Sequence, residues 1–302
     1  MKRILIHEVG PRDGLQAEKQ VVPTAVKLDW IRRAADSGVD IVQVGSFVRG
    51  DKLPQMADTD DLFRVLAGES HPATFSGLVL NEKGLERALE VGVGLICMGV
   101  SASGTHSLKN TGMSTEEATA RIVAMARAAQ KAGRRVQVSV QSAFGCGFEG
   151  EIPFDRVRTI VEAYLEAGLH SISLADTAGH AHPAQVRRYI RCVRELDPSA
   201  EVTAHIHNTY GLGMASVYAA LDAGASAIET SFGGLGGCPF TRVAAGNVAT
   251  EDLVHGLQRN GQRADIDIGA LVGVAQEVAA YFGRELPGCV YKTGPITAKG
   301  KA

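Results

Sequence analysis

Two histidines stand one position apart, His205 and His207, in a run that is otherwise β-branched and apolar, Val202-Thr203-Ala204-His205-Ile206-His207. Side chains at i and i+2 of a strand point to the same face, so both imidazoles are offered to one side without backbone rearrangement. Two imidazoles so placed can chelate a metal ion. Further on, Gly233-Gly234-Leu235-Gly236-Gly237-Cys238-Pro239 reads as a glycine loop presenting one thiol, and Gly246-Asn247 follows with an amide that could complete a metal site. Each piece has a plainer meaning alone. An HxH pair can be two packed rings, an aspartate after a strand is commonly a turn or cap residue, and an asparagine after glycine is commonly a turn.

The elements that must bring these groups together are short apolar runs alternating with amphipathic segments. Strand-like runs fall at Arg3–Glu8, Ile41–Val44, Thr74–Val79, Leu95–Val100, Val136–Gln141, Ser171–Leu174, Val202–His207 and Ala227–Thr230. Between them lie helix-like segments at Thr24–Ser37, Glu82–Val91, Thr115–Lys131, Phe154–Ala167, Pro183–Glu195 and Gly213–Ala223, and Thr250–Gln258 and Ile268–Phe282 read as closing helices. Ser114-Thr115-Glu116-Glu117 has the form of a helix start, and Pro183 suits a first turn. Gly38, Gly92, Gly133, Gly168 and Gly224 each sit just past a helix end, where a left-handed residue is wanted. Eight strand candidates with intervening helices predict a parallel sheet closed into a (β/α)8 barrel with extra C-terminal helices, one catalytic domain over residues 1–302 with a loose tail from 291. A doubly wound open sheet is the runner-up, but Val9-Gly10-Pro11-Arg12-Asp13-Gly14 follows the first strand in place of a GxGxxG turn.

In such barrels the C-terminal strand ends and the loops after them build the site. Arg12 and Asp13 follow strand one, Gln43 ends strand two, Ser142 follows strand five and Asp176-Thr177 strand six. His205, His207 and Asn208 end strand seven, and Cys238 and Asn247 follow strand eight, so one rim collects all these polar groups. Two imidazoles, a carboxylate and an amide carbonyl suit an octahedral divalent ion such as Mg²⁺ or Mn²⁺ with positions open to substrate. Two histidines and one carboxylate also match the ligand set of iron centres that handle oxygen, and ligand type alone leaves that alternative open.

Composition narrows the partners. Hydrophobic residues make up 45% of the 302-residue chain and charged residues 21%, which is ordinary for a soluble globular protein. A net charge of −2 gives no reason to expect nucleic acid or an anionic membrane. No apolar run reaches the length of a spanning helix, and the N-terminus lacks the apolar segment of a secretory signal. The five cysteines are odd in number, dispersed and never in CxxC spacing, which favours a reducing, cytoplasmic setting over a disulfide framework.

Long stretches of the chain resemble 3-hydroxy-3-methylglutaryl-CoA (HMG-CoA) lyase. They are Glu8-Val9-Gly10-Pro11-Arg12-Asp13-Gly14-Leu15-Gln16, Ser46-Phe47-Val48, Pro54-Gln55-Met56, His205-Ile206-His207-Asn208-Thr209-Tyr210-Gly211, and Gly234 through Pro239 with Ala245 through Leu253. The resemblance implies metal ligation by Asp13, His205, His207 and Asn247, and catalytic roles for Arg12 and Cys238. It also implies an acyl-CoA substrate, cleavage to acetyl-CoA and an oxo acid, and a place in leucine degradation, and it leaves a homodimer open. Lys109-Asn110, after strand four, resembles a family segment near the acyl-CoA; its plainer reading is a solvated loop.

Two positions depart from the family pattern. Gln43 stands where a glutamate is expected at the end of strand two, and Asn208 where an aspartate is expected after the second histidine. Each exchange keeps hydrogen bonding and removes a charge and any capacity to act as base. One reading is drift within a working lyase. Another is a substrate with its carboxylate directly on the carbinol carbon, as in citramalyl-CoA. A Claisen-type synthase or aldolase of the same barrel type is the alternative reaction, and a catalytically silent barrel that binds acyl-CoA or a protein partner is the alternative outside enzymes.

Overall fold

A computed structural model describes residues 3–237 and 246–296. Eight strands follow the apolar runs: β1 Leu5–Glu8, β2 Ile41–Ser46, β3 Thr74–Leu78, β4 Leu95–Ser101, β5 Arg135–Gln141, β6 Ser171–Ala175, β7 Glu201–His205 and β8 Ala227–Thr230. They pair in parallel in chain order, and β8 pairs with β1 to close the barrel. The helices are α1 Thr24–Asp36, α2 Thr59–Leu66, α3 Glu82–Glu90, α4 Gly104–Thr111, α5 Thr115–Lys131, α6 Phe154–Glu166, α7 Pro183–Leu196, α8 Gly213–Asp222, α9 Thr250–Arg259, α10 Ile268–Phe282 and α11 Val290–Thr293. Ser114 and Glu117 form a reciprocal capping box at the start of α5, and the five post-helix glycines all have positive φ.

Three helices have no counterpart in the sequence expectation: α2, α4 and the short α11, which buries Val290 and Tyr291 at the start of the expected tail. The segment read as a loop carrying Lys109 and Asn110 is α4, whose Ser103 hydroxyl caps it by accepting from the His106 amide. Apart from Leu108 and Lys109 its residues are weak helix formers, and they show little apolar spacing, so the cap and the packing against β4 and α5 decide the conformation. The helix α2 buries Leu62, Phe63 and Leu66 against the barrel. Strand β7 also ends at His205, two residues earlier than expected.

The main core lies between the strands and their helices, where outward residues such as Ile6, Val42, Ile96, Val138, Ile172 and Ala204 meet the helical layer. The barrel interior is more polar. His7 on β1 lies 2.9 Å from Ser76 on β3, and Gln137 on β5 donates to Thr203 on β7, contacts between strands that are not neighbours and so cross the interior. Aliphatic packing there reduces to a small cluster of Ile41, Leu95 and Cys97 with Leu78. Barrels of this type usually fill these layers with branched aliphatics, so this interior is built for something other than packing alone.

Buried carboxyls tie β1 to the stem of the glycine loop. Glu8 Oε1 accepts from the amides of Gly10 and Phe232, and Oε2 accepts from the Thr250 hydroxyl. Glu251 Oε2 accepts from the Gly233 amide at 3.1 Å, while its other oxygen has no hydrogen-bond partner among the described residues. Burial pushes the Glu8 carboxyl up to about 7 and the Glu251 carboxyl up to about 8. The folded chain therefore keeps protons that the unfolded chain releases near 4.5, and stability falls as pH rises through the folded values. In chelating buffer the thermal midpoint should drop between pH values of about 5 and about 9, and Glu251→Gln should flatten that slope. Thermal unfolding across this range checks it; an unchanged slope in the variant would contradict the assignment.

Candidate metal centre

After β1 the chain makes a single π-helical turn, Gly10–Gly14, in which the amides of Arg12, Asp13 and Gly14 all converge on the Val9 carbonyl. Such turns are uncommon and recur at functional sites. This one sets two consecutive side chains beside each other: Arg12 donates to Asp13 Oδ1 at 2.6 Å and, through Nε, to the Gln43 side-chain oxygen. Gln16 donates to the same Asp13 oxygen at 3.1 Å.

His205 is the last residue of β7, and its carbonyl accepts from the Asp176 amide. The chain then leaves the ladder, and His207 forms an isolated antiparallel bridge with Asn247. The Asn208 amide donates to the Gly246 carbonyl and the Val248 amide to that of Ile206. The early end of β7 thus brings the segment after the glycine loop back against the histidines. Close approach requires glycine here: a Cβ on Gly246 would collide with the Gly236 carbonyl, and Gly236 has φ +127 with Asn247 Nδ2 only 2.7 Å from where its own Cβ would lie.

The ring nitrogens converge although the two residues do not share a strand. His205 Nε2 and His207 Nε2 are 3.0 Å apart, and Asp13 Oδ2 lies 3.9 Å from His207 Nε2. One ligand atom from each of Asp13, His205 and His207 lies within 4.8 Å of the others, and all three residues are buried. Asn247 Nδ2 donates to Asp13 Oδ2 at 2.8 Å and to the Leu235 carbonyl at 3.1 Å, while its oxygen is buried without a hydrogen-bond partner among the described residues. An unmet buried polar atom costs about 1–3 kcal/mol, which coordination to an ion would relieve.

The charges point the same way. Burial alone would raise the Asp13 carboxyl, but the Arg12 guanidinium and then the two imidazoles outweigh it and hold the group well below the usual carboxylate range. Burial pushes His207 down to about 3, so this ring is neutral. Burial also works against a charged His205, but the Glu229 carboxylate behind it raises its affinity for a proton above the ordinary value. Two lone pairs cannot face each other at 3.0 Å, so without an ion one of the two Nε2 atoms carries the proton between them, that of His205 while its ring is charged and that of His207 once the His205 ring is neutral. Two imidazoles and one ionised carboxylate fit a divalent cation between them, and Asn247, bonded to that carboxylate through its nitrogen, has an oxygen to offer as a fourth ligand.

The remaining predicted residues are placed differently. Gln43 is buried against Arg12. The Asn208 oxygen accepts from the Gly213 amide at 2.8 Å and so shapes the turn into α8 instead of joining the four converging groups. Lys109 and Asn110 are exposed on α4, and the Lys109 ammonium sits 3.8 Å above the Phe148 ring centre. Asp176 is fully buried, with one oxygen accepting from the Ala181 amide and burial pushing it up to about 7. Cys238 lies outside the described residues. Sequence reasoning missed Glu229, His7 and Gln16. The signal for the first two was an ionisable residue at an inward position of a β run, in Leu5-Ile6-His7 and Ala227-Ile228-Glu229.

Because an ion must displace the His205 proton, binding and protonation compete. Mn²⁺ affinity measured by titration calorimetry should rise by up to about tenfold per pH unit until His205 is neutral. That rise should continue above the ordinary imidazole value of 6.5, because the folded value is raised. An affinity independent of pH would contradict this charge assignment.

Comparison with known proteins accords with this geometry. The HMGL-like family matches residues 3–278. The hydroxymethylglutaryl-CoA lyase YngG of Bacillus subtilis is 35% identical over 286 residues, covering 95% of each chain. The (R)-citramalyl-CoA lyase of Chloroflexus aurantiacus is 36% identical over 305 residues, covering 98% of this chain and 96% of that one. A solved HMG-CoA lyase of Acinetobacter baumannii, in complex with coenzyme A and 3-methylmalate, superposes with a TM-score of 0.92 at 36% identity, covering 99% of this chain and 98% of that one. With a barrel, a convergent donor set and full-length relatives in agreement, the chain belongs to the HMGL-like family.

Proposed function

We propose that this chain is a metal-dependent carbon–carbon lyase that cleaves HMG-CoA to acetyl-CoA and acetoacetate. The observation that carries the reading is the buried cluster of Asp13, His205, His207 and Asn247 with the Arg12 guanidinium bonded to its carboxylate. A divalent ion held by these four residues, Mg²⁺ or Mn²⁺, would act as a Lewis acid toward the substrate oxygens. Cleavage breaks the bond between the carbinol carbon and the carbon next to the thioester. The hydroxyl gives its proton to solvent and becomes a ketone, the electron pair passes to the departing thioester as an enolate, and solvent later restores the proton that the enolate carbon takes up. Arg12, fixed by Asp13 and Gln43, can meet the charge that grows on the thioester oxygen. Cys238 is the proposed acid that returns a proton to the enolate carbon. Lys109 and Asn110 are proposed to contact the CoA moiety from α4.

No described helix is long and apolar enough to cross a membrane. The cysteines at 97, 146, 192 and 289 are free. A cytoplasmic enzyme is consistent with both.

A second reading is favoured by one contact. Gln43 holds Arg12 through a neutral amide oxygen where the family pattern expects a carboxylate. The missing negative charge would tolerate a substrate carboxylate on the carbinol carbon, the arrangement in citramalyl-CoA, which the same chemistry cleaves to acetyl-CoA and pyruvate. The ligand 3-methylmalate in the Acinetobacter baumannii complex likewise carries hydroxyl and carboxylate on one carbon.

A coupled assay of acetyl-CoA release across both thioesters tests the two readings. Release from HMG-CoA should be abolished by EDTA and restored by Mg²⁺ or Mn²⁺, and Arg12→Gln should lower kcat by about 10²–10³-fold. No release from any 3-hydroxyacyl-CoA with metal present would contradict the lyase reading. Gln43→Glu should raise HMG-CoA cleavage and lower that of citramalyl-CoA. A variant that leaves the ratio unchanged would show that Gln43 does not set the preference.

A further inference from the structure

His205, itself a proposed metal ligand, shares one layer of the barrel interior with two further ionisable side chains, Glu229 and His7. Strand β8 lies between β7 and β1, and the register sets Glu229 opposite His205 on one side and opposite His7 on the other. All three are buried. Glu229 Oε2 lies 2.9 Å from His205 Nδ1 as an ion pair, and Oε1 lies 3.6 Å from His7 Nδ1. His7 Nε2 in turn lies 2.9 Å from the Ser76 hydroxyl across the barrel. His205 therefore has its two nitrogens divided, with Nε2 on the side of Asp13 and His207 and Nδ1 against a carboxylate.

Burying a carboxylate and two imidazoles in a layer that aliphatics usually fill is costly unless the groups satisfy one another. The chain of contacts gives such an arrangement a purpose. An imidazole that ligates a metal through one nitrogen is commonly oriented by an acceptor on the other, which selects the tautomer and sets the ring plane.

We propose that Glu229 is the positioning residue for His205, and that His7 holds Glu229 in place. The carboxylate keeps the proton on His205 Nδ1 so that the Nε2 lone pair faces Asp13 and His207. His7, held at Ser76 through Nε2, packs beside the second carboxylate oxygen at 3.6 Å, beyond hydrogen-bond distance, and limits its rotation by contact. The inference rests on the metal centre proposed above and adds to it Glu229 and His7, which touch neither ion nor substrate.

Glu229→Gln keeps the shape and removes the charge, and its amide nitrogen can stabilise the opposite tautomer. Mn²⁺ affinity by calorimetry should fall about 10–100-fold in this variant, with a smaller fall in His7→Gln and partial recovery in Glu229→Asp. A purely space-filling role would move the thermal midpoint of the chelated protein and leave the affinity and tautomer alone. Imidazole ¹⁵N spectra of the chelated wild-type protein, at a pH where the ring is neutral, should show His205 with its proton on Nδ1. This second readout needs no variant to fold. Equal affinities in wild type and Glu229→Gln, or a wild-type proton on Nε2, would overturn the inference while leaving the metal centre intact. A wild-type protein that binds no divalent ion would overturn both.

Discussion

Two imidazole nitrogens held 3.0 Å apart in a buried pocket, beside a carboxylate that stays ionised, create a demand for positive charge. Neither lone pair can satisfy the other, and water is largely excluded. A shared proton meets the demand in part; a divalent cation with Asp13 and the Asn247 oxygen, which has no hydrogen-bond partner among the described residues, meets it fully. The lyase reading, the place of Arg12 and the polar layer that His205 shares with Glu229 and His7 all follow from that electrostatic condition.

The fold supplies this condition by combining a rigid frame with three local irregularities. The closed barrel fixes β1, β7 and β8 as neighbours, so Asp13, His205 and Glu229 start within reach of one another. The π-turn after β1 places Arg12 against Asp13, so the cation that opposes substrate charge also keeps the ligand ionised. The early end of β7 frees His207 to bridge Asn247, and glycines at 236 and 246 let the two backbones meet. A regular strand running through His207 would present both rings but leave Asn247 without its backbone tether.

The frame was legible in the sequence because its signals are local. Apolar runs marked the eight strands to within a residue or two at most ends, and Ser114, Pro183 and the post-helix glycines marked helix limits. The four converging groups were also legible, since the barrel rule places strand ends and following loops on one rim. What escaped depends on partners distant in the chain. The α4 segment has no apolar period to reveal it, and the turn of Asn208 toward Gly213 depends on a backbone path that spacing does not encode. Glu229 and His7 look like solvent-facing residues of a strand until the register sets them side by side in the interior.

The most direct measurement is the position of an anomalous scatterer in crystals grown with Mn²⁺. The account predicts one peak, within about 2.0–2.3 Å of Asp13 Oδ2, His205 Nε2, His207 Nε2 and Asn247 Oδ1, with positions left open for substrate. A peak held by other residues, or imidazoles turned toward different partners with no ion between them, would contradict it.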